Sequence, residues 1–150
     1  MVKNPLRVNF SYRDNLWQGS DLLATGIASF GHISGVHYQN NPEWEQYCGS
    51  LEMGRLPLVR GMRLSQHQRL IREMILQLKR GYLHGDYFQK KFDVDIFDRW
   101  ADVWHGYEQD ELCTVDREAG ELKLTRAGLL QVDAMLPAFF EPQFQNIRYT

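Results

Sequence analysis

The sequence predicts an α+β protein in which one or two β-strands precede a mostly helical region, and three patterns indicate this. Residues 6–12 alternate apolar and polar side chains, as a half-buried strand does. Residues 65–78 place apolar side chains at helical spacing behind a capping box. Residues 112–140 have the pattern of a β-hairpin followed by a helix. We therefore divide the chain of 150 residues into residues 1–40 and 41–150.

Composition and charge indicate an ordinary globular protein. Hydrophobic residues make up 43% of the chain and the formal net charge is −2, which argues against a domain that binds nucleic acid mainly through its charge. The two cysteines, Cys48 and Cys113, are too few and too far apart for a disulfide scaffold or a structural metal site. Because no run of about 18 apolar residues occurs, we expect a cytoplasmic protein with no membrane partner.

The N-terminal part has the pattern of strands separated by turns. After the alternating residues 6–12, a turn region precedes the short apolar run of residues 22–28, which is typical of a strand buried on both faces. Residues 35–39 form another extended stretch. No evident sheet within the chain accepts these strands. This predicts that they belong to a larger sheet whose other strands are missing.

The middle of the chain predicts two helices joined by a connector. Asn41, followed by proline, is predicted to cap the first helix. Residues 55–62 are interpreted as an irregular or extended connector. Ser65 and Gln68 form the capping box of the second helix, which Gly81 is expected to end.

The remaining third has the order of a winged-helix-like module. Asp86 and Asp95 are expected to open two short helices, and Thr125 caps the last one after a hairpin formed by residues 112–115 and 121–124. Aromatic side chains at helical spacing are predicted to form a core rather than a cofactor pocket. They are Tyr87, Phe88, Phe92, Phe97, Trp100 and Trp104.

Four stretches carry a resemblance to a known family. They are residues 17–31 (WQGSDLLATGIASFG), the Tyr38-Gln39-Asn40 motif with Tyr47 beyond it, residues 58–65 (LVRGMRLS), and residues 112–128 with their Leu-Thr-x-x-Gly ending. In order and spacing these stretches resemble the C-terminal region of the oxygen-independent coproporphyrinogen III oxidase family of radical S-adenosylmethionine enzymes. Two departures are that Ala24 replaces the usual glycine and that Phe30-Gly31-His32 replaces His-Ser.

The resemblance implies a site at the end of the last strands of a radical S-adenosylmethionine barrel. It assigns Gly26, Ile27, Ala28 and Phe30 to the S-adenosylmethionine pocket, where small and apolar residues admit the adenosyl group. The alternative is that Gly26 and Ala28 only pack tightly in a sheet.

Two further residues are candidates for binding substrate. Arg60 lies in a family-like Arg-Gly motif, and an arginine fork matches the propionates of a tetrapyrrole. His32 is a candidate beside the substrate, with a structural loop histidine as the alternative. His32 and the neighbouring His37 lack a third ligand at a suitable spacing, so no metal site is predicted here.

The chain lacks the Cys-x3-Cys-x2-Cys motif that holds the [4Fe–4S] cluster in that family. The resemblance therefore implies a parent enzyme in which a missing N-terminal barrel binds the cluster and S-adenosylmethionine, while this chain alone binds neither. It implies oxidative decarboxylation of porphyrinogen propionates in haem biosynthesis. The alternative is a winged-helix module for nucleic acid or protein. Because residues 116–121 carry three acids against one base, we expect no nucleic-acid partner.

Overall fold

The computed structural model describes residues 11–145, which form two compact units, Met1–Arg69 and Leu70–Thr150. We call them the first and the second unit. The α-helices are α1 Ser11–Trp17, α2 Trp44–Glu52, α3 Gln66–Leu78, α4 Gly85–Phe92, α5 Ile96–Arg99, α6 Ala101–Gln109 and α7 Arg126–Met135. The strands are β1 Phe30–Ile33, β2 Val36–Asn40, β3 Leu58–Arg63, β4 Tyr82–His84, β5 Cys113–Asp116 and β6 Glu121–Leu124. The mixed helix and strand content agrees with the prediction, and the domain boundary at residue 40 stays a prediction.

The first unit is built on an antiparallel sheet in the order β1-β2-β3. Ile33 pairs with Val36, so the hairpin loop consists of Ser34 and Gly35 alone. Their φ values of 50° and 79° are those of the turn whose twist matches the flanking strands. At the outer edge of β1, Leu22 forms a single antiparallel bridge with His32.

Residues 22–28 do not form the buried strand that the apolar run predicts. Only Leu22 pairs with a strand, and the chain then turns through left-handed conformations at Gly26 (φ 94°) and Ala28 (φ 56°), which lie outside the extended region of regular strands. Leu23 and Ile27 are 68% and 43% exposed. Of the predicted strand 6–12, residues 6–10 lie outside the described residues and residues 11 and 12 lie in α1.

The prediction that the N-terminal strands have no sheet within this chain is wrong for the stretch 35–39. The predicted stretch 35–39 becomes β2, and β1 and β3 pair with it on either side. Strand β3 arises from residues interpreted as a connector. Helix α2 also begins later than predicted, at Trp44 with Glu43 as its N-cap, although the Asn41 side chain does accept from the Glu43 amide at 3.0 Å.

The second unit contains an antiparallel sheet in the order β4-β6-β5. The predicted hairpin is confirmed as β5 and β6, whereas β4 was not predicted. Predicted caps are also confirmed: the Asp95 carboxylate accepts from the Phe97 amide at 2.8 Å, and the Thr125 hydroxyl accepts from the Gly128 amide at 3.1 Å. The helix that Asp95 opens breaks at Trp100 into α5 and α6.

An aromatic core fills the second unit. Trp104 is fully buried, its indole N–H donates to the Ile96 carbonyl at 2.9 Å, and its ring lies 4.7 Å from that of Phe139. The predicted aromatic core is therefore confirmed, with Tyr87 and Trp100 partly buried at its margin.

One carboxylate lies beside this core. Glu73 is 5% exposed and accepts hydrogen bonds from the Tyr87 hydroxyl at 2.6 Å and from the Lys91 ammonium at 2.8 and 2.9 Å. Burial and the hydrogen bond to Glu73 raise the pKa of Tyr87. The charge of Glu73 is thus compensated where it is removed from water.

Candidate functional site

A loop of residues 23–29 crosses the first unit between α1 and β1 and is fixed by side chains of β2 and α2. The amide of Ala24 donates to the Tyr38 hydroxyl at 2.9 Å, and that of Gly26 donates to the Tyr47 hydroxyl at 3.0 Å. The side-chain amide of Asn40, which is 3% exposed, donates to the carbonyls of Ala24 and Gly26 at 3.2 and 3.0 Å. These contacts hold the predicted cofactor-binding residues in one conformation.

The ring of Tyr38 reaches the loop because its partner on β1, Gly31, has no side chain. Gly31 and Gly61 pair with Tyr38 from β1 and β3. A Cβ atom at Gly31 would overlap the Tyr38 ring, so this position admits no larger residue without displacing the ring. The close approach of ring and strand leaves Tyr38 only 8% exposed.

On the opposite face of the same sheet, a group of four side chains forms what we call the aromatic–cationic face: Phe30, His37, Gln39 and Arg60. Phe30 pairs with Gln39, and Gln39 pairs with Arg60, so these three side chains share one face. The rings of Phe30 and His37 are stacked, with centroids 5.6 Å apart and planes 8° from parallel. The Arg60 guanidinium lies 6.0 Å from the Phe30 ring centroid.

The charge of this face is uncompensated in the part of the chain that the structure describes. Arg60 is exposed, and its Nε donates to the neutral side-chain oxygen of Gln39 at 2.7 Å. No carboxylate within residues 11–145 forms an ion pair with it. Phe30 is 50% exposed beside it. An exposed cation next to an exposed aromatic ring suits a ligand that joins a carboxylate to an apolar body.

The structure brings most of the predicted site residues together. Gly26, Ile27 and Ala28 lie on the loop that leads directly into Phe30, and Arg60 lies two strands away on the same face as Phe30. His32 is 5% exposed, and its backbone pairs with Leu22 at 2.7 and 2.9 Å. Its burial limits access to a substrate, and its predicted role stays a prediction.

An iron–sulfur cluster does not fit the described residues. No group of three or more His, Cys, Asp or Glu side chains between residues 11 and 145 is placed to hold a metal ion. Cys48 and Cys113 lie in different units. Burial, with a smaller contribution from Glu108, raises the pKa of the Cys113 thiol to about 11, which disfavours the thiolate that a metal requires. By contrast, the exposed Ile27 and Phe30 side chains are suited to packing against an adenosyl group.

None of the helices among the described residues is long and apolar enough to cross a membrane.

Comparison with known proteins first identifies the class of fold. No protein-family model matches the chain. Coproporphyrinogen III oxidase from Escherichia coli, whose structure is described as that of a radical SAM enzyme, superposes with a TM-score of 0.65 and 22% identity. The match covers 80% of this chain and 28% of that one. The chain therefore has the fold of the part of that structure that it matches.

Curated relatives then give the particular resemblance. The chain is 30% identical over 118 residues to oxygen-independent coproporphyrinogen III oxidase from Helicobacter pylori (strain J99), and 25% identical over 138 residues to that from Pseudomonas aeruginosa. It spans 26% and 30% of the length of these relatives. The resemblance predicted from the sequence is confirmed: this chain is similar to one part of the oxygen-independent coproporphyrinogen III oxidases.

Sequence reasoning identified the Tyr38-Gln39-Asn40 motif as a resemblance but assigned no role to its members. The strand alternation of β2 places Tyr38 and Asn40 towards the loop and Gln39 towards Arg60. A signal for this arrangement was present in the sequence, since alternate residues of a strand face opposite sides. What the sequence could not provide was the partner strand that sets the register.

Proposed function

We propose that this chain is the C-terminal part of a radical S-adenosylmethionine oxidoreductase that resembles oxygen-independent coproporphyrinogen III oxidase and acts on a tetrapyrrole. In this proposal the loop carrying Gly26, Ile27 and Ala28 lines the S-adenosylmethionine pocket together with Phe30. Arg60 binds a propionate of the substrate. The sequence similarity to the oxidases and the open aromatic–cationic face support the proposal.

The observation that carries the proposed binding role is the pairing of an uncompensated guanidinium with an exposed aromatic ring. A guanidinium can donate two parallel hydrogen bonds to one carboxylate, and the neighbouring Phe30 ring offers an apolar surface. Porphyrinogen propionates combine both properties, since each carboxylate is attached to a largely apolar macrocycle. S-Adenosylmethionine and the cluster would supply the radical oxidation chemistry in the parent, held by the remainder of the enzyme.

Contact with that remainder accounts for the exposed apolar side chains of the first unit. All six residues of β3 are exposed, and α2 contains no buried residue. A large exposed apolar patch on a protein commonly marks a site that contacts another protein or domain. The side chains concerned are Trp44, Leu51, Met53, Leu56, Leu58, Val59 and Met62.

The competing proposal is a winged-helix module that binds nucleic acid. The order of helices, hairpin and final helix in the second unit favours it. The charges of the hairpin oppose it, because Arg117 lies 3.7 Å from the carboxylate of Asp98 and Lys123 lies 2.9 Å from that of Glu121. Bases that are already paired with acids contribute little to phosphate binding. Nanomolar, salt-sensitive binding of a fluorescent DNA duplex to this chain would support the nucleic-acid module. It would contradict the proposal that the chain is part of an oxidoreductase.

The direct test is Arg60→Ala in the full-length enzyme. Loss of charge-assisted hydrogen bonds, roughly 1.5–3 kcal/mol, should raise KM for coproporphyrinogen III about tenfold to hundredfold. Iron content and bound S-adenosylmethionine should not change, because Arg60 is not assigned to the cofactors. The readouts are steady-state kinetics, iron analysis and S-adenosylmethionine binding.

Arg63→Ala is the matched control, since Arg63 is also exposed on β3 but its pairing with Val36 places it on the other face of the sheet. It should leave KM unchanged. Equal kinetics in the Arg60 variant and the unsubstituted enzyme would contradict the proposed role of Arg60.

A further inference from the structure

Gln39 joins the predicted cofactor loop to the predicted substrate residue. Its side-chain oxygen accepts from Arg60 Nε at 2.7 Å, and its side-chain nitrogen donates to the Ala28 carbonyl at 3.2 Å. Strand β2 lies between β1 and β3, and Gln39 pairs with Phe30 on one side and with Arg60 on the other. One amide group therefore contacts both halves of the proposed site.

The chemistry of the partners fixes the orientation of this amide. A guanidinium N–H only donates and a backbone carbonyl only accepts, so the Gln39 oxygen must face Arg60 and its nitrogen must face Ala28. Rotating the amide by half a turn would set N–H against N–H and oxygen against oxygen. No other standard side chain of this length supplies a neutral acceptor and a donor in this arrangement.

Two consequences follow for Arg60. The hydrogen bond uses Nε, which leaves the terminal Nη groups available to a ligand beside the Phe30 ring. Gln39 is neutral, so it orients the guanidinium and leaves its positive charge uncompensated. A glutamate at this position would neutralise that charge. An exposed arginine otherwise samples many rotamers, and holding it in place lowers the entropy that is lost when a ligand binds.

We propose that Gln39 is the positioning residue of the aromatic–cationic face: it holds the Arg60 guanidinium beside Phe30 so that the face binds a carboxylate attached to an apolar body. This inference rests on the proposed function, in which Arg60 contacts a ligand. The carboxylate can come from a tetrapyrrole propionate or from the methionyl group of S-adenosylmethionine. The experiment below distinguishes the two sources.

The test is a double-mutant cycle in the full-length protein with Gln39→Met and Arg60→Ala. Methionine keeps the length of the side chain and removes both hydrogen bonds. Coproporphyrin III, titrated by fluorescence, and S-adenosylmethionine, titrated by calorimetry, are the two probes. We expect Gln39→Met to weaken binding of one probe about three- to tenfold, and Arg60→Ala to weaken the same probe by about tenfold or more.

Non-additivity is the decisive readout, because a residue that acts through Arg60 has nothing to act on once Arg60 is gone. The double variant should bind that probe no more weakly than Arg60→Ala alone. Gln39→Glu serves as the second variant if Gln39→Met does not fold; it should weaken binding because its carboxylate pairs with the guanidinium.

The outcomes separate the two proposals. If Arg60→Ala leaves both probes bound as before, the proposed function of Arg60 fails and the positioning role fails with it. A second outcome is that Arg60→Ala weakens the binding of a probe while Gln39→Met leaves that binding unchanged, or that the two effects on binding add fully in the double variant. In either case only the positioning role of Gln39 is overturned. Weakening confined to S-adenosylmethionine would support the positioning role and reassign the carboxylate to the cofactor.

Discussion

The two units of this chain bury different kinds of side chain. Among the described residues, Tyr38 is the only buried hydrophobic residue before Leu70, and the hydrophobic core cluster lies entirely in the second unit. The buried side chains of the first unit include the polar His32 and Asn40. The second unit is thus held mainly by burial of aromatic and aliphatic surface, and the first by hydrogen bonds from side chains to a loop backbone.

This contrast indicates how strongly the stability of each unit depends on its surroundings. Burial of apolar side chains contributes roughly 1.5–3 kcal/mol for each large residue, whereas a hydrogen bond contributes about 1 kcal/mol because water competes for the same groups. A unit held chiefly by hydrogen bonds therefore gains less free energy when it folds by itself. We therefore expect the first unit to depend more on the remainder of the proposed parent, and the following substitutions test this comparison.

The largest effect is expected from Trp104→Ala in the second unit. Trp104 is fully buried against Phe139, and removing its side chain leaves a cavity that should cost about 3–5 kcal/mol of unfolding free energy. Urea denaturation followed by circular dichroism measures the change. Trp44→Ala in the same 150-residue chain is the matched control in the first unit, since Trp44 is 62% exposed there and should change stability by about 0.5 kcal/mol or less. An equal cost for both substitutions would contradict the comparison.

A smaller effect is expected from Asn40→Asp in the first unit. Aspartate cannot donate to the Ala24 and Gly26 carbonyls, and it places a charge at a position that is 3% exposed. We expect a loss of roughly 1–3 kcal/mol, measured as faster hydrogen exchange of the loop amides.

The neighbouring Asn41→Asp is its control. Asn41 is more exposed, and an aspartate there keeps the oxygen that accepts from the Glu43 amide at 3.0 Å. It should leave loop exchange unchanged. If the Asn40 variant also exchanged at the original rate, the hydrogen bonds from Asn40 would not be what holds the loop.

The smallest effect concerns the two cysteines, one in each unit. Cys113 is 3% exposed and its pKa is raised from 9.0 to about 11, so at pH 8 it should react with iodoacetamide far more slowly than the half-buried Cys48. Peptide mass spectrometry after timed labelling measures both rates. In urea the two rates should converge, and equal rates in the folded protein would show that Cys113 is accessible.

The same thiol predicts a pH dependence. Between pH 9 and 11 the folded protein retains the Cys113 proton while the unfolded chain loses it, so the free energy of unfolding should fall as pH rises through this range. Denaturation midpoints at increasing pH, compared with those of Cys113→Ala, measure this contribution.

Much of the second unit could be predicted from the sequence because its signals are local. The caps at Asp95 and Thr125 and the hairpin each involve residues that are close in the chain. Prediction failed at Trp100, where one predicted helix is two, and at β4, which is three residues long. Short elements give too few residues for a periodic pattern to distinguish them.

The first unit was harder to predict, and residues 22–28 show why. A short apolar run is compatible with a buried strand and with a loop, and here the contacts that decide between them come from residues 14 to 21 positions away. Strand β3 was likewise hidden, because its pairing with β2 requires a partner that the local pattern does not reveal.

The family resemblance, the aromatic core and the helix caps could be predicted from the amino-acid sequence alone, since these depend on residue type at short spacing. The sequence also identified Phe30 and Arg60 as candidates. That these two side chains share one face of a sheet, with Gln39 between them, became evident from the folded structure. The physical reason is register: the pairing of three strands brings residues 30, 39 and 60 together, and no single segment encodes it.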